Sequence, residues 1–238
     1  MRHSRQEMLD DFAKSTDLLK QKRVGIVGVG GLGGLCSLLL TGAGVGSLHI
    51  SDSDEVSLSN LHRQILYRED DVGHSKTQSA MRELKALDKS TDIVCFEKIT
   101  RDNFDSFARG CDLIMDLSDN MPTRLLLNEL CLKQRIDFIH TSVGAYRGIM
   151  MGLLFSTQDF VDRYGCYQCM TGTVGNLELK GILGPAAAMM SSSCAMLALQ
   201  MLNGNTDACG IMHLFDLKNF TVRKMELARD VNCTCCAG

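Results

Sequence analysis

The sequence has no cluster of lysine and arginine, no uninterrupted hydrophobic run long enough to span a bilayer, and only 2 prolines in 238 residues. Each shortage removes a class of function. With 25 basic against 28 acidic residues and a formal net charge of −3, no nucleic-acid partner is expected, because such surfaces concentrate Lys and Arg. The opening segment, Met1 to Asp10, shows neither an apolar core nor a cleavage site. It does not read as a signal peptide or anchor, so a cytoplasmic location is expected. The longest apolar region, Pro185 to Leu202, is interrupted by Ser191, Ser192, Ser193 and Gln200, which predicts a core helix and no membrane partner. Repeats, low-complexity tracts and linkers rich in Pro, Gly and Ser are also missing. One integrated domain over 1–238 is expected, with the terminal residues as a C-terminal extension.

What is present centres on Val24 to Gly33, an apolar run that breaks into Gly28-x-Gly30-Gly31-x-Gly33. A second strand-like run, Ser47 to Ser51, is followed by Asp52, 24 residues after Gly28. The order strand, glycine turn, helix, strand, acid suits a nucleotide. The first glycine permits a tight turn, the next lets backbone approach a phosphate, and the last lets the helix pack on the sheet. Glycine-rich turns also arise for packing alone, and Asp52, placed where a carboxylate meets a ribose hydroxyl, argues against that reading.

Further along, residues 5 to 21 predict a broken amphipathic helix. The polar, aperiodic stretch from Asp52 to Gln64 predicts a functional loop. A helix to Leu87, a strand from Ile93 to Phe96, a short helix from Asp102 to Phe107 and a strand from Cys111 to Asp116 follow. Next come a helix from Pro122 to Gln134 and a strand from Phe138 to Thr141. Alternating strands and helices predict an α/β fold, a Rossmann-like, mostly parallel sheet with flanking helices and with ligands at the carboxyl ends of its strands. Asp52, Asp54 and Asp119 all sit just past such ends. Beyond Gly148 the sequence predicts an apolar strand from Ile149 to Phe155, a long helix opening at Pro185, and strands from Ile211 to Asp216 and Phe220 to Met225.

The chain has 11 cysteines, and with no secretory signal in view disulfides are not expected. Cys36, Cys95, Cys111, Cys131, Cys194 and Cys209 lie in apolar or helical patterns and read as small buried hydrophobes. Cys166 and Cys169 form one CxxC pair and Cys233 and Cys236 another, which together match a closed, structural Zn2+ site. A redox dithiol is the competing reading, and Cys235 competes with Cys236 as ligand.

Among the polar residues, Arg63 and Lys76 are cations suited to neutralising a triphosphate, and Asp119 is a hard oxygen ligand suited to Mg2+. Solvated surface charges, and for Asp119 a helix N-cap ahead of Pro122, are the alternatives. A dehydrogenase needs none of these three, whereas triphosphate chemistry needs all of them.

In order along the chain stand Arg2-His-Ser-Arg5-Gln, the Gly28 to Gly33 motif, Asp52-x-Asp54 leading to Asn60-Leu-x-Arg63-Gln, Lys76, Ser118-Asp119-Asn120, Gly184-Pro185 and the two CxxC pairs. This set resembles the ThiF/MoeB/HesA enzymes, relatives of ubiquitin-activating enzymes, over essentially the whole chain. The resemblance implies adenylylation. The C-terminal carboxylate of a small ubiquitin-like sulfur-carrier protein ending in Gly-Gly attacks the α-phosphate of ATP. It also implies roles: Asp52 on ribose, Asn60, Arg63 and Lys76 on phosphates, Asp119 on Mg2+, and Arg5 donated across a homodimer into the partner's site. Asp54 and Asn120 belong to the same nucleotide-binding motifs. Residues 1–145 would then hold nucleotide, and 146–238 would hold substrate and zinc.

One departure stands out. Relatives carry a loop cysteine between the positions of Asn176 and Gly181, where this chain has Leu177, so no covalent thioester step is expected. The alternatives are adenylylation of a peptide C-terminus in peptide or siderophore biosynthesis, and an NAD-dependent oxidoreductase with structural zinc. The latter leaves Arg63, Lys76 and Asp119 without a role.

Overall fold

In the computed structural model, which describes residues 2–171 and 181–237, the apolar run before the glycines becomes strand β1 (Arg23–Val27). Ahead of it, two 3-10 turns and the short helix α1 (Ser15–Leu19) stand where a longer broken helix was expected. Only Phe12, Ser15 and Leu19 are buried there, too few inward positions to hold a continuous helix against the body. The glycine turn leads into α2 (Gly33–Ala43), and β2 (Ser47–Ser51), α3 (Lys76–Leu87), β3 (Asp92–Phe96), α4 (Phe104–Ala108), β4 (Leu113–Asp116), α5 (Met121–Gln134) and β5 (Asp137–Gly144) follow. Their alternation gives the parallel pairing expected, in the order β3-β2-β1-β4-β5. All five residues of β2 are buried, as befits a strand covered on both faces. The strand order reverses direction between β1 and β4, the switch point where such sheets open a crevice for ligand.

Beyond Gly144 the sheet turns antiparallel through β6 (Arg147–Leu153), β7 (Ile211–Asp216) and β8 (Thr221–Glu226). β5 runs three residues past the expected Thr141, because Ser142, Val143 and Gly144 pair with Ile149, Gly148 and Arg147. Between β6 and β7 lie α6 (Gln158–Tyr164), α7 (Tyr167–Met170) and α8 (Gly184–Leu202). The short α6 was not anticipated; its inward side consists of Phe160 and Val161 alone, below what periodicity can reveal. Half of the apolar stretch of α8 is buried, and the helix packs on α2, β5 and β6.

The core divides along the sheet. One side gathers Leu40, Leu84, Met190 and Ala198 from α2, α3 and α8. The other gathers Phe104, Phe107, Leu127, Phe138 and Tyr167 together with Cys166, Cys233 and Cys236. Ser191, one of the polar breaks in the α8 run, donates its hydroxyl to the carbonyls of Leu32 at 2.9 Å and Ala187 at 2.9 Å. A residue that looks like an interruption in sequence thus ties α8 to the end of the glycine turn.

Candidate functional site

The glycines of the turn divide by what surrounds them. Gly28 has φ +90°, and a Cβ there would stand 2.8 Å from the carbonyl oxygen of Leu117, so both conformation and space require glycine. A Cβ on Gly33 would collide with the carbonyl of Gly28. Gly30 and Gly31 are different. Their nearest neighbours would lie 3.4 Å away, and both face a cavity of about 940 Å3. No described residue fills the space their missing side chains leave, which is the cradle an incoming phosphate needs. Gly33→Ala should therefore cost about 2 kcal/mol or more of stability. Gly30→Ala should stay within about 1 kcal/mol of the parent while weakening nucleotide binding. Thermal unfolding and calorimetric titration separate the two outcomes.

The same cavity is lined by Asp52, Asp54, Arg63, Lys76, Asp119 and Asn120, so residues far apart in sequence meet as the carboxyl-end rule predicts. Asp52 accepts the backbone N–H of Val29 at 2.9 Å and that of Asp54 at 2.9 Å, which fixes its carboxylate to the turn. Burial pushes its carboxyl upward, opposed by the Lys76 ammonium. Lys76 is only 4% exposed and lies 2.7 Å from Asp54 and 3.7 Å from Asp52. It is no solvated surface charge. Asn60 is not among the cavity-lining residues; its Oδ1 accepts from Arg63 Nη2 at 2.7 Å, holding the guanidinium that is.

The N-cap of α5 is Asn120, whose side chain accepts from the Thr123 N–H at 3.0 Å. This removes the capping alternative for Asp119, which is exposed in the cavity with no side-chain hydrogen bond or ion pair among the described residues. Arg5 lies away from the cavity of its own chain, beside Met8. The Leu177 position, with the rest of 172–180, lies outside the described residues; the chain returns at Gly181, whose carbonyl accepts from the Ala145 N–H at 2.6 Å.

Several lining residues escaped the sequence reading: Lys98, Arg124, His140, Arg147 and Tyr167. Lys98 follows the end of β3, and the carboxyl-end rule, applied to every strand, would have found it. Arg124 lies four residues after Asn120 and so on the same face of α5, with Nη2 donating to the Ser118 carbonyl at 3.0 Å. Arg147 and Tyr167 reach the cavity only through the β5–β6 hairpin and the cysteine knuckle, which no local pattern marks.

Against α5, where Asn128 Nδ2 donates to Cys166 Sγ at 3.4 Å, the thiols of Cys166, Cys169, Cys233 and Cys236 come together with all four sulfurs within 4.8 Å of one another. Cys166 and Cys233 are 3.8 Å apart and Cys169 and Cys236 are 3.4 Å apart. Four sulfurs at about 2.3 Å from a tetrahedral Zn2+ stand roughly 3.8 Å from one another, so the donor set fits that ion. Cys235 is not one of the four but stands beside them, hydrogen-bonded to Cys166 and accepting from Asn128 Nδ2 at 3.2 Å. Hydrogen bonds from Cys235 and Asn128 push the Cys166 thiol down to about 5 against the effect of burial, whereas burial pushes the Cys169 and Cys236 thiols up. The six cysteines read as small hydrophobes are buried or half-buried.

Comparison with known proteins bears on the whole chain. A model of the ThiF family matches residues 3–235. The chain is 33% identical over 244 residues to the sulfur carrier protein ThiS adenylyltransferase of Escherichia coli (strain K12), covering 100% of this chain and 95% of that protein. It is 34% identical over 249 residues to an adenylyltransferase and sulfurtransferase MOCS3 of Caenorhabditis briggsae, covering 99% of this chain and 60% of that longer protein. Among solved structures, E. coli MccB with ATP superposes with a TM-score of 0.85 at 20% identity over 100% of this chain and 75% of that one, a likeness of fold. Matched from residue 3 to residue 235, this chain belongs to the ThiF family.

Proposed function

We propose that the chain is an adenylyltransferase that uses ATP to activate the C-terminal carboxylate of a small ubiquitin-like sulfur-carrier protein. The observation that carries the reading is the meeting, in one cavity, of an unfilled glycine cradle, Arg63, Lys76 and the uncommitted carboxylate of Asp119. Membership of the ThiF family and the adenylyltransferases among its relatives support it. In the reaction a carboxylate oxygen of the carrier attacks the α-phosphorus. The new O–P bond forms as the bond to the bridging oxygen of pyrophosphate breaks, and pyrophosphate leaves with that electron pair.

The residues divide the work. The 28–33 turn and the N-terminus of α2 hold phosphate, and Asp52 keeps lone pairs for ribose beside its two backbone contacts. Arg63, oriented by Asn60, and Lys76 neutralise charge that builds as pyrophosphate separates. Asp119 would hold Mg2+, which supplies charge neutralisation across the phosphates. Arg5 serves the site of a second copy in a homodimer, and Zn2+ on the four cysteines has a structural role. Residues 1–145 carry the nucleotide, and 146–238 the substrate and zinc.

The test is exchange of labelled pyrophosphate into ATP, screened over carrier proteins ending in Gly-Gly and over short peptides. Exchange only with peptides would move the acceptor class. NADH binding without ATP binding would sink the assignment.

We further propose that activation stops at the acyl-adenylate or passes directly to an external nucleophile. The stretch from Thr171 to Gly184 contains no cysteine, Cys169 belongs to the metal cluster, and Cys194 is wholly buried within α8. Intact-mass measurement after incubation with ATP and carrier should show no thiol-labile adduct on the enzyme. An adduct lost on replacing a single non-cluster cysteine would refute this.

A further inference from the structure

Beneath the cavity lies a pair of side chains that the reading above does not use. Asp116 closes β4 and is fully buried, and His140 stands directly across from it on β5 at 1% exposure. A buried carboxylate must find donors for its lone pairs. Oδ1 of Asp116 accepts from the Ser118 N–H at 3.1 Å and from the Ser118 hydroxyl at 2.5 Å. That double contact clamps the turn running from β4 to Asp119. Oδ2 lies 2.7 Å from His140 Nδ1, and with a carboxylate as partner Nδ1 carries the proton and donates.

His140 is itself held. Its ring packs on Tyr167 with centroids 4.5 Å apart, and the Tyr167 N–H donates to Asn128 Oδ1 at 2.9 Å. Asn128 is anchored in α5, the helix that begins two residues after Asp119. Both ends of the turn bearing Asp119 are thereby fixed. Ser118 is clamped by Asp116, and α5 is braced through Asn128 against the Tyr167 that holds His140. Without the His140 donor, Oδ2 would be a buried acceptor with no partner among the described residues, and the carboxylate would have to turn away from Ser118 to satisfy it.

We propose that His140 is a positioning residue which, through Asp116 and Ser118, sets the carboxylate of Asp119 for the metal that accompanies the nucleotide. This rests on the proposed role of Asp119. It assigns to a buried histidine control over the metal-dependent part of nucleotide affinity, and not over affinity in general.

Calorimetric titration of ATP with excess Mg2+ and with EDTA, on the full chain, provides the test. His140→Leu should weaken Mg2+-ATP binding about tenfold, the size expected for one lost donor to a buried carboxylate, and change ATP binding in EDTA by no more than about twofold. His140→Asn, which can place an amide N–H near the Nδ1 position, should restore Mg2+-ATP affinity to within about threefold. Ser118→Ala probes the same clamp without opening the core if His140→Leu does not fold, and should act in the same direction. Equal losses with and without Mg2+, or a folded variant with unchanged Mg2+ dependence, overturns the inference. A parent chain that binds no ATP under either condition would overturn the proposed function instead, and the inference with it.

Discussion

Asp119→Ala should lower carboxylate-dependent exchange of pyrophosphate into ATP on the order of a hundredfold, the usual loss when one preorganised charge contact is removed. Its carboxylate is exposed in the cavity with no partner among the described residues, and Asn120 supplies the cap of α5. Substitution should therefore leave helix and fold intact. A surface residue without structural work ordinarily shifts stability by less than about 0.5 kcal/mol, so a melting curve that matches the parent separates chemistry from folding. Lys76→Ala should match or exceed the loss in exchange for another reason. It removes a cation and leaves Asp52 and Asp54, which the ammonium pairs at 3.7 and 2.7 Å, facing the phosphates uncompensated. Exchange that survives Asp119→Ala and removal of divalent metal alike would refute the magnesium role.

The other large effect concerns the cysteine cluster. Elemental analysis should find one Zn2+ per chain, and Cys233→Ser should lose it. A structural zinc stores roughly 12 kcal/mol of binding free energy. If a quarter of that is lost as stability, the melting temperature of a chain this size falls by roughly 6–12 °C. The loss should fall on stability more than on the exchange rate below the melting temperature, since four thiolates leave no open coordination position for chemistry. Cys235→Ser should retain the metal, because the Cys235 thiol stands beside the cluster as a hydrogen-bond partner of Cys166 and Asn128 and is not one of its four converging sulfurs. Iron in place of zinc, or retention of metal by Cys233→Ser, would contradict the ligand assignment.

The first half of the fold could be read from sequence because its signals are local. A parallel strand buried on both faces is a short apolar run, as in Ser47–Ser51, and a glycine whose Cβ would strike Leu117 leaves its mark at Gly28. The carboxyl-end rule then brought Asp52, Asp54 and Asp119 together with no knowledge of distance. The second half was harder for equally physical reasons. The extension of β5 to Gly144 depends on a partner strand, and α6 hides behind only two buried side chains. His140 reads as one polar residue within an apolar strand until Asp116 appears across from it in parallel register. The resemblance places Asn60 on phosphate, and the coordinates add that its side chain holds Arg63, a contact that no local pattern marks.

The antiparallel half also bears on how the molecule assembles. Cys166 meets Cys233 across a sequence separation of 67 residues, and β6 finds β7 across the same excursion through α8. Closing so long a loop is entropically expensive and slow beside the local strand–helix–strand steps of the first half. The phosphate turn is not finished by the early steps alone, because Ser191 of α8 must reach the Leu32 carbonyl at the end of that turn. Both walls of the cavity therefore wait on the same late closure, and a lesion in α8 is expected to slow the completion of the glycine turn along with that of the wall carrying Arg147 and Tyr167.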